Sequence, residues 1–98
     1  MSEEHAEPTR ALRAIVSGRV QGVGFRAWTQ HEARGLDLEG TVRNLPEGQV
    51  EAVLQGTARD VLEMLERFHR GPGLSRVTGV QVQDLPWNDA ISGFRILP

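Results

Sequence analysis

The chain contains no cysteine and no tyrosine, and all 11 of its basic residues are arginine, so lysine is absent as well. Without cysteine there is no disulfide frame, no thiol nucleophile and no thiolate metal cluster. Without lysine there is neither a P-loop amine nor a Schiff-base amine. We read the lysine-free bias as genomic rather than functional. Tyrosine cannot serve as a phenolic acid. Apolar runs are short, none approaching the roughly 20 residues of a membrane span. Met1 to Thr9 also lacks the apolar core of a signal peptide. These absences make the cytoplasm the default compartment. A net charge of −2 leaves no basic footprint for nucleic acid or a membrane surface. Any anion site must therefore be local.

What remains suffices for one domain. The 98 residues, 39% hydrophobic and 24% charged, describe an ordinary globular chain with a single core. Size alone makes a monomer the default. Residues 1–9 read as a flexible lead-in, with Glu3, Glu4, Glu7 and Pro8 offering nothing to bury. A folded domain from residue 10 to 98 follows.

From Leu12, the alternation of Leu12, Ala14 and Val16 against Arg13 and Ser17 predicts a half-buried strand, with Ile15 as an exception. Phe25, Trp28, Thr29, Ala33 and Leu36 then fall at helical spacing, predicting a helix from about Gly24 to Arg34 that stops near Gly35. Two strand-like runs, Glu39 to Leu45 and Gln49 to Gly56, flank Pro46-Glu47-Gly48, which is hairpin chemistry. Thr57 stands at an N-cap position with Asp60 three residues on, ahead of the stripe Val61, Met64, Leu65 and Phe68. Gly71-Pro72-Gly73 ends that helix. Val77 to Leu85 alternates through Val80 and Val82 against Gln81 and Gln83, and Gly93 to Leu97 closes the chain. The order β-α-β-β-α-β, plus a short fifth strand, makes two split βαβ units. It predicts an α+β, ferredoxin-like fold: an antiparallel-dominated sheet with both helices on one face.

Between the first strand and the first helix lies Gly18-Arg19-Val20-Gln21-Gly22-Val23-Gly24-Phe25-Arg26. A glycine-rich turn leading into a helix start bunches backbone N–H groups at the positive helix end, a natural anion pocket. Its spacing is not G-x-G-x-x-G, and no Gly-Lys-Ser/Thr follows, which disfavours both familiar nucleotide sites.

This stretch resembles the first signature of the acylphosphatase family. Gly40-Thr41-Val42-Arg43-Asn44, with Gly48, Val50 and Gly56 at matching spacing, is similar to the second, and Gly93-Phe94-Arg95-Ile96 is a typical close. The resemblance covers about residues 10 to 98. One departure is Thr41, where the family usually carries a large aromatic. If Thr41 alternates opposite Val42, the change removes a surface aromatic and leaves the chemistry untouched.

The resemblance implies hydrolysis of a small-molecule acyl phosphate to a carboxylate and inorganic phosphate. The leaving carboxylate is stable without a proton, so the reaction needs a cradle for phosphoryl charge and a water held in line. Arg26 would clamp two phosphoryl oxygens with its planar fork. The N–H groups of Gln21, Gly22, Val23, Gly24, Phe25 and Arg26 would bind the rest. Asn44 would position the attacking water, with the substrate's own phosphate oxygen as the proton acceptor. No cofactor and no metal are implied.

Simpler roles fit the other residues. His5, His31 and His69 lack metal-ligand spacing, and Ser17 lacks a nucleophile-elbow context. Phe25 and Trp28 suit core anchors, and Arg19 and Arg43 suit solvent-facing positions. Two alternative functions are a non-catalytic phosphate- or carbamoyl-phosphate-binding module and a generic ferredoxin-like binding domain. The chain's ending at Pro98 weighs against the first, since related modules begin larger hydrogenase-maturation proteins. The acidic balance and the lack of aromatics on the central strands weigh against the second.

Overall fold

Alternation at Leu12, Ala14 and Val16 produces the strand it predicts. In the computed structural model, which describes residues 7–98, β1 runs Thr9–Arg19 with those three side chains fully buried. It starts earlier than the apolar pattern indicates, inside the stretch read as lead-in. Thr9 pairs with Thr57, and the Pro8 carbonyl accepts from the Ala58 N–H at 2.8 Å. Backbone pairing holds residues that have nothing apolar to bury. The remainder of that lead-in, residues 1–6, lies outside the described residues.

The other elements are α1 (Phe25–Gly35), β2 (Glu39–Asn44), β3 (Val50–Thr57), α2 (Ala58–Arg70), β4 (Arg76–Asp84) and β5 (Phe94–Ile96). The five strands form one sheet in the order β4-β1-β3-β2-β5. Every pairing is antiparallel except β2 with β5, which is parallel. This is the α+β, ferredoxin-like arrangement expected. Both helices contribute to one core: Phe25 and Ala33 of α1 and Val61, Met64 and Phe68 of α2 pack with Val42, Val50, Leu54 and Phe94 of the sheet. Phe25 stacks on Phe68 with ring centroids 6.0 Å apart, and Trp28 tilts against both rings, so the aromatic anchors join the helices.

Local signals act as predicted. Thr57 caps α2, its hydroxyl accepting from the Asp60 N–H at 3.2 Å. Asp60 in the first turn and Arg67 and Arg70 in the last complement the helix dipole. Gly71 ends the helix at φ 64°. The turn after β2 is closed by the Leu45 N–H donating to the Gln49 carbonyl at 2.8 Å, with Gly48 at φ 99°.

Two strands depart from the alternation seen in sequence. In β4 the alternating Val82 is 43% exposed, because β4 is an edge strand that only β1 flanks. In central β3 the polar residues of the uncovered face are buried instead, Glu51 to 7% and Gln55 to 1% exposure. Their neighbours reach over them. Arg13 of β1 and Arg43 of β2 donate to the two oxygens of Glu51 at 2.6 and 2.7 Å. Gln55 donates to the Asn88 carbonyl at 2.9 Å and accepts from the Asn88 N–H at 3.2 Å. Arg43 is thus an ion-pair partner as well as a solvent-facing residue. Thr41 points away from the helices, as its alternation with buried Val42 implies, beside a cavity of about 480 Å³ under Trp87.

Glu51 makes acid stability a testable property. Burial pushes its carboxyl up, and hydrogen bonds from Arg43 and Arg13 with their charges pull it down further, leaving it below the ordinary carboxylate range. A depressed folded-state value contributes stability above the unfolded value, about 4.3 for Glu. That contribution is lost as pH falls through the folded value. Glu51→Gln is therefore expected to be less stable than the parent at pH 7, with the gap shrinking below about pH 4. Urea midpoints measured from pH 7 to pH 3 check this; a constant gap would show that the carboxylate's charge is not what the two arginines stabilise.

Candidate active site

The loop follows an irregularity near the end of β1, which stays paired with β4 as far as Arg19. Their register shifts between Ser17 and Gly18. There the backbones approach so closely that a Cβ on Gly18 would lie 2.1 Å from the Arg76 carbonyl oxygen. Val20, 1% exposed, then pins the chain to the core before it turns. Gly22 and Gly24 both adopt left-handed backbone, φ 75° and 78°, and among the described residues nothing beyond the adjoining chain lies within 4 Å of where their Cβ would be. Glycine here serves the turn and leaves room above the backbone.

Gly24 is also the N-cap of α1. Among the described residues no side chain caps this end, and the first turn carries no acid. The orphan N–H groups and the positive end of the helix dipole therefore face outward with nothing anionic beside them.

A cavity of about 220 Å³ opens above this helix start. It is lined by Val20, Gly22, Gly24, Phe25, Arg26 and Ala27 from the loop and α1, with Asn44 and Ile96 from the sheet. Arg26, half-buried in the first turn, makes one long side-chain hydrogen bond among the described residues, from Nη1 to the carbonyl of Leu97, the residue after β5, at 3.4 Å. Among the described residues no carboxylate forms an ion pair with it. Its guanidinium charge is thus not already committed.

Asn44 is the last residue of β2 and shares the helix-side face with Val42. It pairs with Val50, which pairs with Val16, so the ends of three strands line up beside the loop. The expected site residues Gly22, Gly24, Phe25, Arg26 and Asn44 therefore meet at one cavity. Phe25 is 1% exposed with its ring in the core, so only its backbone is at hand for a ligand. Gln21 and Val23 do not line the cavity. Val23 packs against the core, and the Gln21 amide turns toward the β2–β3 turn.

Two contributions were not legible in the sequence. Ile96 reaches the cavity, and the Leu97 carbonyl reaches Arg26, because β5 docks in parallel beside β2, with the Leu97 N–H donating to the Val42 carbonyl at 2.8 Å. Gln30 and Arg34 of α1 fasten that strand by donating to the Phe94 carbonyl at 3.0 and 3.1 Å. The spacing of Gln30 and Arg34 on one helix face was a visible hint; the carbonyl they reach was not. The Gln21 hydrogen bonds were equally hidden, since nothing local marks a side chain that binds 24 and 28 residues away.

Among the described residues no three or more histidine, aspartate or glutamate side chains are grouped to hold a metal ion. No helix among them is long and apolar enough to cross a membrane.

Comparisons with known proteins show the family and the fold. The family model described as "Acylphosphatase" matches residues 12–96. An acylphosphatase of Rubrobacter xylanophilus is 46% identical over 93 residues, spanning 95% of this chain and 84% of the relative. The crystal structure of acylphosphatase from Bacillus subtilis superposes with a TM-score of 0.86 at 35% identity, covering 90% of this chain and 98% of that one. A structure of T. kodakarensis HypF superposes with a TM-score of 0.80 at 28% identity, over 91% of this chain but only 12% of that one.

Proposed function

The chain belongs to the acylphosphatase family, and from that premise we propose how it hydrolyses acyl phosphates. Arg26 and the N–H groups of the cavity-lining residues Gly22, Gly24, Phe25 and Arg26 hold the three phosphoryl oxygens, the guanidinium clamping two of them. Asn44 holds a water through its side-chain amide, in line with the bond to be broken. The water oxygen attacks phosphorus, and the bond from phosphorus to the acyl oxygen breaks. The carboxylate leaves with the electron pair and needs no proton. An amide is far too weak a base to deprotonate the water, so the water's proton passes to a phosphoryl oxygen. The products are a carboxylate and inorganic phosphate.

The observation that carries this reading is the shared cavity. One space of about 220 Å³ meets Arg26, the glycine-rich turn, the uncapped end of α1 and Asn44. That space has room for a phosphoryl group together with a small acyl group, so the substrate is a small acyl phosphate held by its phosphoryl end. The positive groups that a loose, charge-spreading transition state requires are supplied by the guanidinium and the helix end. The mechanism calls for no metal and no second subunit.

The test is hydrolysis of benzoyl phosphate in the presence of EDTA. Turnover undiminished by the chelator is expected. Activity that disappears with EDTA and returns with an added divalent ion would overturn the metal-free mechanism. Tight phosphate binding without turnover would mark the domain as a binding module instead.

A further inference from the structure

The cradle and the water-holding residue belong to separate parts of the fold. The loop follows β1, whereas Asn44 ends β2, and β3 lies between those two strands. Two steps across a sheet span roughly 10 Å. Something must keep them in register, because a misplacement of about 1 Å at a reacting centre can cost on the order of 100-fold in rate.

We infer that the Gln21 side chain is a positioning residue that locks Asn44 to the phosphate loop. Its single Nε2 donates to two carbonyls, Leu45 and Gln49, each at 2.8 Å. Leu45 directly follows Asn44: one bond holds the Leu45–Pro46 peptide unit, and the other holds the Gln49 carbonyl that anchors the N–H of the Asn44–Leu45 unit. The two carbonyls converge because Leu45 and Gln49 face each other across the turn, the Leu45 N–H donating to that same Gln49 oxygen at 2.8 Å. An amide nitrogen carries two protons in a fixed plane and can satisfy both acceptors at once. A hydroxyl offers one proton, and a carboxylate would set negative oxygens against both carbonyls. The lock is fastened a second time from the turn, where Gln49 Nε2 donates to Ser17 Oγ of β1 at 2.9 Å. Among the described residues Gln21 is the one side chain of the loop that hydrogen-bonds to this turn.

The role belongs to the side chain, and the N–H groups that line the cavity are untouched by its replacement. It rests on the reading of Arg26 and Asn44 above. Gln21→Met keeps the side chain's length and removes both donors; Gln21→Ala removes them and admits water. The expected result for both is a kcat on benzoyl phosphate lower by about 10- to 100-fold. KM and the inhibition constant for inorganic phosphate should stay within about threefold, because the cradle itself is intact. Unchanged kcat in a folded variant would overturn the inference. So would a parallel loss of kcat and phosphate binding, which would make Gln21 a support of the cradle alone. Failure of both variants to fold would make it a folding determinant and equally end the positioning role. Measuring Asn44→Ala alongside separates the two ideas. If that variant is fully active, the reading of the water site fails; if it is inactive while Gln21→Met matches the parent, only the lock fails.

Discussion

Replacing Arg26 by alanine is expected to lower kcat/KM on benzoyl phosphate by about two to four orders of magnitude and to abolish inhibition by inorganic phosphate. The size follows from the bonds lost. A clamp that holds two oxygens makes two charge-assisted hydrogen bonds, each contributing about 1.5–3 kcal/mol. Their sum, about 3–6 kcal/mol, corresponds to roughly 10²- to 10⁴-fold at about 1.36 kcal/mol per tenfold. Ground state and transition state both carry phosphoryl charge, so binding and rate should fall together. The fold should be little affected: Arg26 is only half-buried, and its one side-chain hydrogen bond among the described residues, to the Leu97 carbonyl, is long at 3.4 Å. Arg26→Lys is the informative companion. It restores the charge without the planar fork, and should recover only part of the loss. Steady-state kinetics with phosphate as the competing ligand measure both effects. Phosphate inhibition that survives in Arg26→Ala would move the clamp elsewhere in the loop.

Asn44→Ala should separate turnover from binding. Loss of the residue that orients the water is expected to cost about 10²- to 10³-fold in kcat, the range set by a misplaced reactant or a missing polar contact. The inhibition constant for phosphate should change by no more than about twofold, because the N–H groups and Arg26 remain. The strand end should survive the change, since β2 is held by backbone pairing with β3 and β5 on either side. Phosphate inhibition measured beside kcat gives the decisive comparison. A variant with full activity would remove Asn44 from the mechanism, whereas equal loss of both quantities would make it part of the cradle.

Which features were legible before the structure depends on how far the responsible contacts reach along the chain. The N-cap at Thr57, the stop at Gly71 and the turn at Gly48 involve neighbours within three or four residues, and each stands where the pattern puts it. The stripe Val61, Met64 and Phe68 and the alternation of Leu12, Ala14 and Val16 likewise report burial correctly. The same alternation says too little in β3 and too much in β4. A polar residue in a central strand can be buried by long side chains from both neighbours, as Arg13 and Arg43 do to Glu51. An apolar residue in an edge strand can stay exposed, as Val82 does. Neither outcome is encoded in periodicity, because both depend on which strands lie alongside.

By itself, then, the sequence determined the element order and the helix-facing core, and its resemblance to the acylphosphatase family singled out Asn44 and the loop ending at Arg26 as candidates. Those follow from spacing, backbone preference and residue type, all of which act locally or through a motif that can be read in line. Only the tertiary structure decided that the loop and Asn44 share one cavity, that β5 supplies its far wall, and that Gln21 reaches across to the β2–β3 turn. Those depend on strand order and on hydrogen bonds between residues 24 to 71 positions apart. Such contacts are chosen by the packing of the whole sheet, and no local window of the chain contains both partners.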